Sequence, residues 1–364
     1  MDNFTWIAFF KVLATGLISS IIAIRTIPTI NNIARIKGLL NIPGERTSHR
    51  YKTPNLAGIA IFLSACVSSL LFIYDHFEIF KMIYLASVII FFTGLKDDIL
   101  LLSPWKKLLA QIVVATLIVA ADLRFIHFFG LFGVDQFNEV TSIIITMVFI
   151  VGIINAVNLI DGIDGLAAAI GVLILGFFGL FFFLNELYSW SIYCASMVGA
   201  LIVFFQYNVF GLRNKTFMGD SGSLLLGLSI AVTTILFWEA HAVETLPLKF
   251  VSAPAMTLAI IIVPVFDVVR VFVYRIAHRV SPFSADRNHL HHRLVDSGFT
   301  HFQTTLILTG FNVLMIGITF ALSLVLGTIW TTIGLIALTC LFVFGATNFY
   351  RKEGRKEGRK AITT

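Results

Sequence analysis

Apolar runs approaching the length of a bilayer-spanning helix follow one another along most of this chain, separated by short polar connections. Such a helix needs about 20 mostly apolar residues. The runs are centred on residues 4–24, 55–74, 79–95, 105–122, 141–159, 165–184, 187–207, 222–238, 251–273, 304–326 and 328–349. The pattern predicts an all-α polytopic integral membrane protein with about eleven transmembrane helices.

Composition supports the membrane class. Of the 364 residues, 58% are hydrophobic and 13% are charged, whereas a soluble domain carries about 25% charged residues. The first 25 residues lack the basic start and the small-residue cleavage site of a signal peptide, so we expect them to remain as a span. Cys66, Cys194 and Cys340 lie inside apolar runs without metal or disulfide spacing, which predicts buried small hydrophobic residues.

Basic residues are concentrated in every second connection of the predicted topology. These connections are residues 25–54, 96–107, 211–216, 270–300 and 351–364, and of the 26 Lys and Arg only Lys11, Lys81, Arg124 and Lys249 lie elsewhere. The bias predicts that these connections are cytoplasmic, with the N-terminus outside and the C-terminus inside. This topology explains the sequence pI of about 9.3 without a nucleic-acid partner. We expect one transmembrane catalytic domain, residues 1–350, followed by a basic tail, residues 351–364, near anionic lipid.

Six carboxylates fall at predicted cytoplasmic ends of spans, where separate helices can converge on one face. They are Asp97, Asp98, Asp161, Asp164, Asp220 and Asp267. Ionisable groups at membrane depth are costly and usually functional. Any one of them is equally well explained as a helix cap or a headgroup-level charge, but six on one side beside a group of histidines indicate a common site.

The stretch NAVNLIDGIDGL, residues 155–166, is the strongest of the acidic motifs. Asn155, Asn158, Asp161 and Asp164 follow one another at intervals of three, which would place them along one face of a helix. Amide and carboxylate oxygens are the ligands that Mg²⁺ prefers, often together with substrate phosphates. The motif therefore predicts one wall of a magnesium-compatible site.

Two shorter motifs carry further carboxylates. In KDD, the adjacent Asp97 and Asp98 would diverge by about 100° on a helix. One of them can then face a metal or nucleophile while the other faces a partner Lys or the membrane interface. In FMGDSGS, Asp220 opens a helix among small residues, which is a natural place for a phosphate. An Asp cap on a small-residue packing face is the compatible alternative.

Imidazole and guanidinium groups cluster near residue 290. They belong to Arg287, His289, His291, His292 and Arg293. No Cys accompanies them, and the Asp and Asn nearby favour ions harder than zinc. Because imidazole and guanidinium donors suit a diphosphate, an anion site is favoured over a zinc site.

Taken together, oxygen ligands, basic donors and helix-terminal glycines at one membrane face fit Mg²⁺-dependent phosphoryl transfer, in which a protein mainly positions groups and neutralises charge. The sequence contains no Walker A motif or kinase signature, so ATP is not expected as the donor. The alternative from another class is a carboxylate-based ion or lipid transporter. Such a transporter would hold its carboxylates near the bilayer midplane, often in repeated halves.

Six motifs tie these features to a known family. They are HRYKTPNLAGIAIF, GLKDDILLLS, NAVNLIDGIDGL, FMGDSGS, PVFDVVR and SPFSADRNHLHHRL. As a set and in this order they resemble the polyprenyl-phosphate N-acetylhexosamine-1-phosphate transferases, glycosyltransferase family 4, whose superfamily includes the phospho-MurNAc-pentapeptide translocase. Ala57 in PNLAG departs from the family, whose members often have Gly-Gly where this chain has Ala57 and Gly58. The histidine motif, interrupted by Leu290, resembles the GlcNAc-1-phosphate branch, whereas the translocase has an uninterrupted His triplet.

The resemblance implies transfer of an N-acetylhexosamine 1-phosphate from a UDP-sugar to undecaprenyl phosphate. For this branch of the family, the transferred group is GlcNAc 1-phosphate. UMP would be released, and the product would initiate a cell-surface glycan. The pentapeptide translocase activity is the alternative. The resemblance also implies Mg²⁺, with Mn²⁺ as a substitute, at Asp220 and Asn158. It further implies a homodimer in the bacterial cytoplasmic membrane with the active site facing the cytoplasm.

The same resemblance implies roles for the remaining acidic and amide residues. Asp97, Asp98 and Asp164 are expected as catalytic carboxylates, and Asp97 or Asp98 would handle the lipid-phosphate nucleophile. Asn155, Asp161 and Asp164 would lie along the nucleotide. Direct attack and a covalent Asp intermediate are both open, as is the donor among GlcNAc, GalNAc, QuiNAc and FucNAc.

Basic and aromatic residues complete the implied substrate site. Phe217 would stack on the uracil ring. Lys107 and the loop from Arg287 through His289 and His291 to His292 would hold the diphosphate and the sugar.

Overall fold

The structure is a computed structural model that describes residues 3–39, 53–212, 214–279 and 289–362. These residues form thirteen α-helices and one two-stranded sheet. Eight of the helices are long and apolar enough to cross a membrane, and a bent helix pair raises that number to nine if it forms one span. The described residues are therefore those of a polytopic, mainly α-helical membrane protein, as the apolar runs predict.

The first of two compact units comprises Met1–Asp161 and Ala167–Lys249. Its helices are α1 (Asn3–Ile36), α2 (Ala57–Leu70), α3 (Phe77–Leu100), α4 (Pro104–Ala120), α5 (Glu139–Ile160), α6 (Leu166–Leu184), α7 (Tyr188–Phe210) and α8 (Gly219–Ala240). Helix α8 is the central one, because 89% of its most apolar 18-residue window is buried. It packs against α2, α3 and α5, so residues at its start meet the ends of several helices.

Glycines bring α8 very close to its neighbours. A Cβ added at Gly94 of α3 would lie 2.5 Å from backbone atoms of Asp220 and Ser221 in α8. A Cβ added at Gly227 of α8 would lie 2.7 Å from Cα of Ile154 in α5. Lipid tails are as apolar as Leu side chains, so close packing of small residues is a main source of helix association in a bilayer. These contacts fix the spacing of the three helices that carry most of the predicted site.

A β-hairpin, which the apolar runs do not predict, is tied to the C-terminal end of α8. Strand β1 (His127–Leu131) pairs antiparallel with β2 (Val134–Gln136). The carboxylate of Glu239 accepts the backbone N–H groups of Ile126 at 2.7 Å and of His127 at 3.2 Å. The imidazole of His127 contacts the same carboxylate at 2.7 Å. The hairpin is thus anchored at the end of α8 opposite to Asp220.

The second compact unit comprises Gly162–Leu166 and Phe250–Thr364. Its helices are α9 (Ala253–Ile260), α10 (Ile262–Ala277), α11 (Leu290–Asp296), α12 (His301–Ser323) and α13 (Thr328–Ile362). Helix α13 continues from its apolar part through the basic tail as far as Ile362.

The predicted span 251–273 is a sharply bent helix pair rather than one straight helix. Helices α9 and α10 meet at Ile261 with a bend of 80°. Pro264 explains the break, because proline has no N–H and its ring clashes with the carbonyl four residues earlier, that of Ile260. The carbonyls of Ala259 and Ile260 instead accept hydrogen bonds from Asn312 Nδ2 of α12, at 3.0 and 3.2 Å.

Every predicted apolar run contains a helix or this bent pair. Apart from the bent pair, helices α2 and α4 are the shortest helices of these runs, with 14 and 17 residues. The structure divides the chain into two compact units. That residues 1–350 act as one catalytic domain stays a prediction.

Candidate active site

Two carboxylates and one ammonium group from three helices meet in the first unit. Lys107, in the first turn of α4, forms ion pairs with Asp97 Oδ2 of α3 at 2.6 Å and with Asp220 Oδ2 of α8. The side chain of Asp97 also accepts the backbone N–H of Leu102 at 2.5 Å. Asp97 is buried and Lys107 and Asp220 are partly buried, and withdrawing charged groups from water costs free energy that an ion pair repays only in part. Their presence here favours a functional role. The carboxylate cluster is defined as Asp97, Asp98, Lys107, Asn158 and Asp220.

Asp98 binds the backbone of α8 rather than a cation. Its Oδ1 accepts the N–H of Asp220 at 2.8 Å, and its Oδ2 accepts the N–H and the hydroxyl of Ser221 at 3.0 and 2.7 Å. The first N–H groups of a helix have no partner within the helix, and the side chain of Met218, the N-cap residue of α8, makes no capping hydrogen bond. Asp98 therefore caps α8 from the neighbouring α3.

The two asparagines of α5 face different helices. Asn158 Nδ2 donates to Asp220 Oδ1 at 3.2 Å and to Ser223 Oγ at 2.8 Å, so its amide belongs to the carboxylate cluster. Asn155 exchanges two hydrogen bonds with Gln111 of α4, at 2.7 and 3.3 Å. This amide pair ties α5 to the helix that carries the lysine of the cluster.

The spacing of three in NAVNLIDGIDGL does not continue along one helix. Helix α5 ends at Ile160, Asp161 is its C-terminal capping residue, and Asp164 lies in the turn that follows. The two Asp-Gly pairs favour that turn. Gly165 adopts a φ of 83°, a left-handed conformation that glycine takes without steric cost. The expectation of a single helical face is therefore wrong beyond Asn158.

In the second unit, Asp267 organises the histidine motif. Its Oδ2 lies 2.8 Å from His289 Nδ1, and its Oδ1 accepts the backbone N–H of Leu290 at 2.8 Å. Arg270 adds a bond to Oδ1 at 3.2 Å. Because Leu290 is the first residue of α11, the carboxylate of Asp267 both caps this short helix and orients the imidazole.

Asp164 belongs to the same unit and contacts the first turn of α12. Its Oδ2 lies 3.2 Å from His301 Nδ1, and its carbonyl oxygen accepts the hydroxyl of Thr305 at 3.0 Å. His301 is 137 residues away from Asp164 in sequence, so no local motif connects the two. The histidine cluster is defined as Asp164, Asp267, His289, His291, His292 and His301.

His291 is the most buried imidazole of this cluster, with 1% of its surface exposed. Its Nδ1 lies 4.0 Å from Asp267 Oδ2. Its Nε2 has no hydrogen-bond partner among the described residues, and it faces Gly162, where an added Cβ would lie 2.5 Å from that nitrogen. The glycine leaves room for the ring, which an alanine at the same position would displace.

The His291→Gln variant should resist mild acid better than the wild-type protein. Burial is the main cause that lowers the pKa of His291, to about 3. The charge of Asp267 raises this pKa, and the neighbouring His292, His289 and His301 lower it further. From the ordinary pKa of about 6.5 down to about 3, the unfolded chain binds a proton that the folded chain does not. Stability therefore falls with falling pH in this window, by at most about 1.4 kcal/mol per pH unit. Since Gln takes up no proton, the difference in melting temperature between pH 7 and pH 5 should narrow.

The matched control is His278→Gln, at an exposed position of the same unit. Thermal melts of the three detergent-solubilised proteins at both pH values measure the effect, and the control should keep the wild-type difference. An undiminished difference in the His291→Gln protein would show that His291 is not held neutral by burial.

Phe217 and Arg287 are two further predicted substrate contacts. Phe217 precedes α8, and its backbone pairs with the segment before α2, donating to the carbonyl of Pro54 at 2.8 Å and accepting from Ala57 N–H at 3.2 Å. Its stacking on uracil stays a prediction. Arg287 lies outside the described residues.

The sequence did not single out several side chains that hold the two clusters in place. They are Gln111, Ser221, Ser223 and His301. Gln111 is a buried amide in a predicted span, a position that usually marks a partner or a site. The two serines belong to the FMGDSGS motif, in which we interpreted them as small residues rather than as hydrogen-bonding groups.

Comparison with known proteins shows which family the chain resembles. The family model for glycosyl transferase family 4 matches residues 80–238. This segment of the chain is therefore similar to glycosyl transferase family 4. The matched segment contains the whole carboxylate cluster, and the resemblance inferred from the six motifs is confirmed.

Individual relatives extend the similarity beyond that segment. The undecaprenyl-phosphate alpha-N-acetylglucosaminyl 1-phosphate transferase of Escherichia coli K12 is 28% identical over 282 residues, which cover 76% of this chain and 74% of the relative. A Salmonella typhi protein of the same name is 28% identical over 278 residues, 75% and 73% of the two chains. The probable undecaprenyl-phosphate N-acetylglucosaminyl 1-phosphate transferase of Bacillus subtilis 168 is 29% identical over 339 residues, 92% and 90% of the two chains. The similarity to the Bacillus subtilis protein therefore includes most of the second unit.

Proposed function

We propose that this glycosyltransferase moves N-acetylglucosamine 1-phosphate from UDP-GlcNAc to undecaprenyl phosphate, releasing UMP and initiating a cell-surface glycan. A phosphate oxygen of the lipid forms a bond to the phosphorus that carries the sugar, and the bond from that phosphorus to the UMP oxygen breaks. Direct attack and passage through an aspartyl intermediate give the same products. The names of the relatives from Escherichia coli and Bacillus subtilis support the acceptor and the sugar.

The observation that carries the proposal is the convergence of Asp97 and Asp220 on the Lys107 ammonium group. Two carboxylates from separate helices, brought to one cation beside a helix N-terminus, suit a reaction in which charge on phosphate oxygens must be neutralised. A transporter would need carboxylates near the midplane in broken helices. Asp97 lies at the end of α3 and Asp220 at the start of α8, which favours an enzyme at one membrane face.

The residues of the carboxylate cluster fit Mg²⁺. Among the described residues no group of three His, Cys, Asp or Glu is arranged to hold a metal ion. However, protein-bound Mg²⁺ usually takes only one or two carboxylates and completes its shell with water and substrate phosphates. The carboxylate of Asp220 and the amide of Asn158, which are in contact with each other, supply such oxygens. Bound there, Mg²⁺, or Mn²⁺ in its place, would neutralise charge on the diphosphate.

The chain's own groups then have distinct tasks. Lys107 would place a positive charge against the diphosphate, and Asp97, its partner, would handle the lipid phosphate. Asn155 and Asp161 would line the nucleotide, and Phe217 would stack on the uracil.

The histidine cluster is proposed to hold the diphosphate and the sugar. Asp267 orients His289, and the buried Nε2 of His291 offers a polar group to a ligand atom. Asp164, fixed by His301, would serve as a further catalytic carboxylate. Arg287 would add a guanidinium to the same loop.

Topology and assembly complete the proposal. We infer eleven spans, with α2, α4 and the bent α9–α10 pair each crossing the membrane, the N-terminus outside and the C-terminus inside. The concentration of Lys and Arg in alternate connections supports this orientation. The protein would be a homodimer in the bacterial cytoplasmic membrane, with its active site facing the cytoplasm.

A donor assay with the purified protein tests this function. The protein in detergent or liposomes, given undecaprenyl phosphate, Mg²⁺ and UDP-GlcNAc, should release UMP and form the lipid diphosphate sugar. Chelation of the divalent cation should stop the release, and re-addition of Mg²⁺ or Mn²⁺ should restore it. UDP-GalNAc, UDP-QuiNAc and UDP-FucNAc, offered separately, determine the specificity for the sugar.

Two results would contradict the proposal. Turnover only of UDP-MurNAc-pentapeptide would identify a pentapeptide translocase. Ion or lipid flux across liposomes without UMP release from any donor would identify a transporter.

A further inference from the structure

The two adjacent carboxylates of the KDD motif have different partners. Asp97 Oδ2 is paired with the Lys107 ammonium group at 2.6 Å. Both oxygens of Asp98 accept hydrogen bonds from the first turn of α8. Neighbouring side chains on a helix diverge by about 100°, so Asp97 contacts α4 while Asp98 contacts α8.

The contact between Asp98 and the start of α8 leaves no space for larger residues at two glycines. A Cβ added at Gly219, whose φ is +70°, would lie 2.7 and 2.8 Å from the two Asp98 oxygens. Gly94, four residues before Asp98 and therefore on the same face of α3, allows the backbones of α3 and α8 to touch. A larger residue at either glycine would push the carboxylate away from the N–H groups that it caps.

Capping by Asp98 also decides where the Asp220 side chain points. The N–H of Asp220 is bound by Asp98, while the carboxylate of Asp220 reaches Lys107 and the amide of Asn158. Without a cap the first turn of a helix frays, because its N–H groups lose their acceptors. The Asp220 carboxylate would then lose its fixed position.

We propose that Asp98 is a positioning residue, which holds the first turn of α8 so that Asp220 presents its carboxylate to the cation, while Asp97 alone of the pair contacts the lipid phosphate. The inference rests on the proposed function for the identity of the reaction. The capping role itself does not depend on turnover.

The decisive comparison is between Asp98→Asn, Asp98→Ala and Asp97→Asn. Asn keeps part of the cap, since its amide oxygen can accept the N–H of Asp220 and its amide group can donate to the Ser221 hydroxyl, while the N–H of Ser221 loses its acceptor. It cannot serve as a base. A capping role therefore predicts that Asp98→Asn rescues part of what Asp98→Ala loses.

Three measurements are made on each variant. Hydrogen–deuterium exchange of peptides covering the start of α8 should be about tenfold faster in Asp98→Ala, clearly slower than that in Asp98→Asn, and unchanged in Asp97→Asn. Binding of Mn²⁺ alone, followed by electron paramagnetic resonance, should weaken in Asp98→Ala and stay near wild type in Asp98→Asn. At saturating Mg²⁺, UMP release should fall by about 10²-fold in Asp98→Ala and in Asp97→Asn, but by less than about tenfold in Asp98→Asn.

Specific outcomes would overturn the inference. If Asp98→Asn were as inactive as Asp98→Ala while α8 exchange and Mn²⁺ binding stayed at wild-type values, Asp98 would belong to the chemistry. Unchanged exchange in Asp98→Ala would exclude the cap. If Asp98→Ala cannot be purified, the contrast between Asp98→Asn and Asp97→Asn still decides. Failure of every donor to release UMP would refute the proposed function and leave the exchange result intact.

Discussion

Asp220→Asn is expected to reduce UMP release by about 10²–10³-fold, the usual effect of removing one electrostatic contact to a developing charge. The carboxylate of Asp220 is shared by the ammonium group of Lys107 and the amide of Asn158. Asn keeps the size of the side chain and the backbone N–H that Asp98 binds, but it removes the charge that would attract Mg²⁺. The apparent affinity for Mg²⁺ should therefore fall together with the rate.

Initial rates at several Mg²⁺ concentrations and a thermal melt measure this prediction. The melting temperature should stay near the wild-type value, because Lys107 keeps its ion pair with Asp97. Asp122→Asn is the matched control, since the side chain of Asp122 is 84% exposed and pairs only weakly with Arg124. Full activity of Asp220→Asn would remove Asp220 from the metal site.

Gly94→Ala is expected to destabilise the protein and to inactivate it, although Gly94 contributes no chemical group. The added Cβ would lie 2.5–2.6 Å from the backbone of Asp220 and Ser221. A backbone cannot rotate away as a flexible side chain can, so α3 and α8 must separate. Overpacking of this kind costs about 1–3 kcal/mol, and the separation would break the hydrogen bonds from α8 to Asp98.

A glycine with free space around it provides the control. Gly152 of α5 has no atom within 4 Å of an added Cβ, and alanine has a higher helix propensity than glycine by about 1 kcal/mol. Gly152→Ala should therefore melt at or slightly above the wild-type temperature and retain activity. A Gly94→Ala protein with wild-type melting temperature and rate would show that α3 and α8 are not in direct backbone contact.

Secondary structure was largely predictable because the relevant signal is local. A run of about 20 apolar residues is helical in a bilayer whatever surrounds it, since its backbone must satisfy its own hydrogen bonds. Two of the exceptions also have local causes. Pro264 divides the predicted span 251–273, and the Asp-Gly pairs end α5 at Ile160. The hairpin of residues 127–136 escaped prediction because its strands are short and depend on Glu239.

The partners of the site residues were less predictable. The sequence predicted that one Asp of KDD would face a metal or nucleophile and the other a partner Lys or the membrane interface. It did not predict which Asp pairs with Lys107, nor that the other binds the backbone of α8. That choice depends on α8, whose first turn lies 122 residues after Asp98. The interval of three in NAVNLIDGIDGL suggested one face, yet Asn155 is bound to Gln111 and Asp164 to His301.

The sequence alone predicts a many-spanning helical membrane protein whose motifs resemble a family of glycosyltransferases. Apolar length and motif chemistry are properties of short segments, and they can be read without knowing what the segments touch. Only the tertiary structure decided that Lys107 bridges Asp97 and Asp220, and that Asp98 caps α8. Those assignments depend on which helices pack together and at what rotation, and glycine contacts between distant segments set that packing.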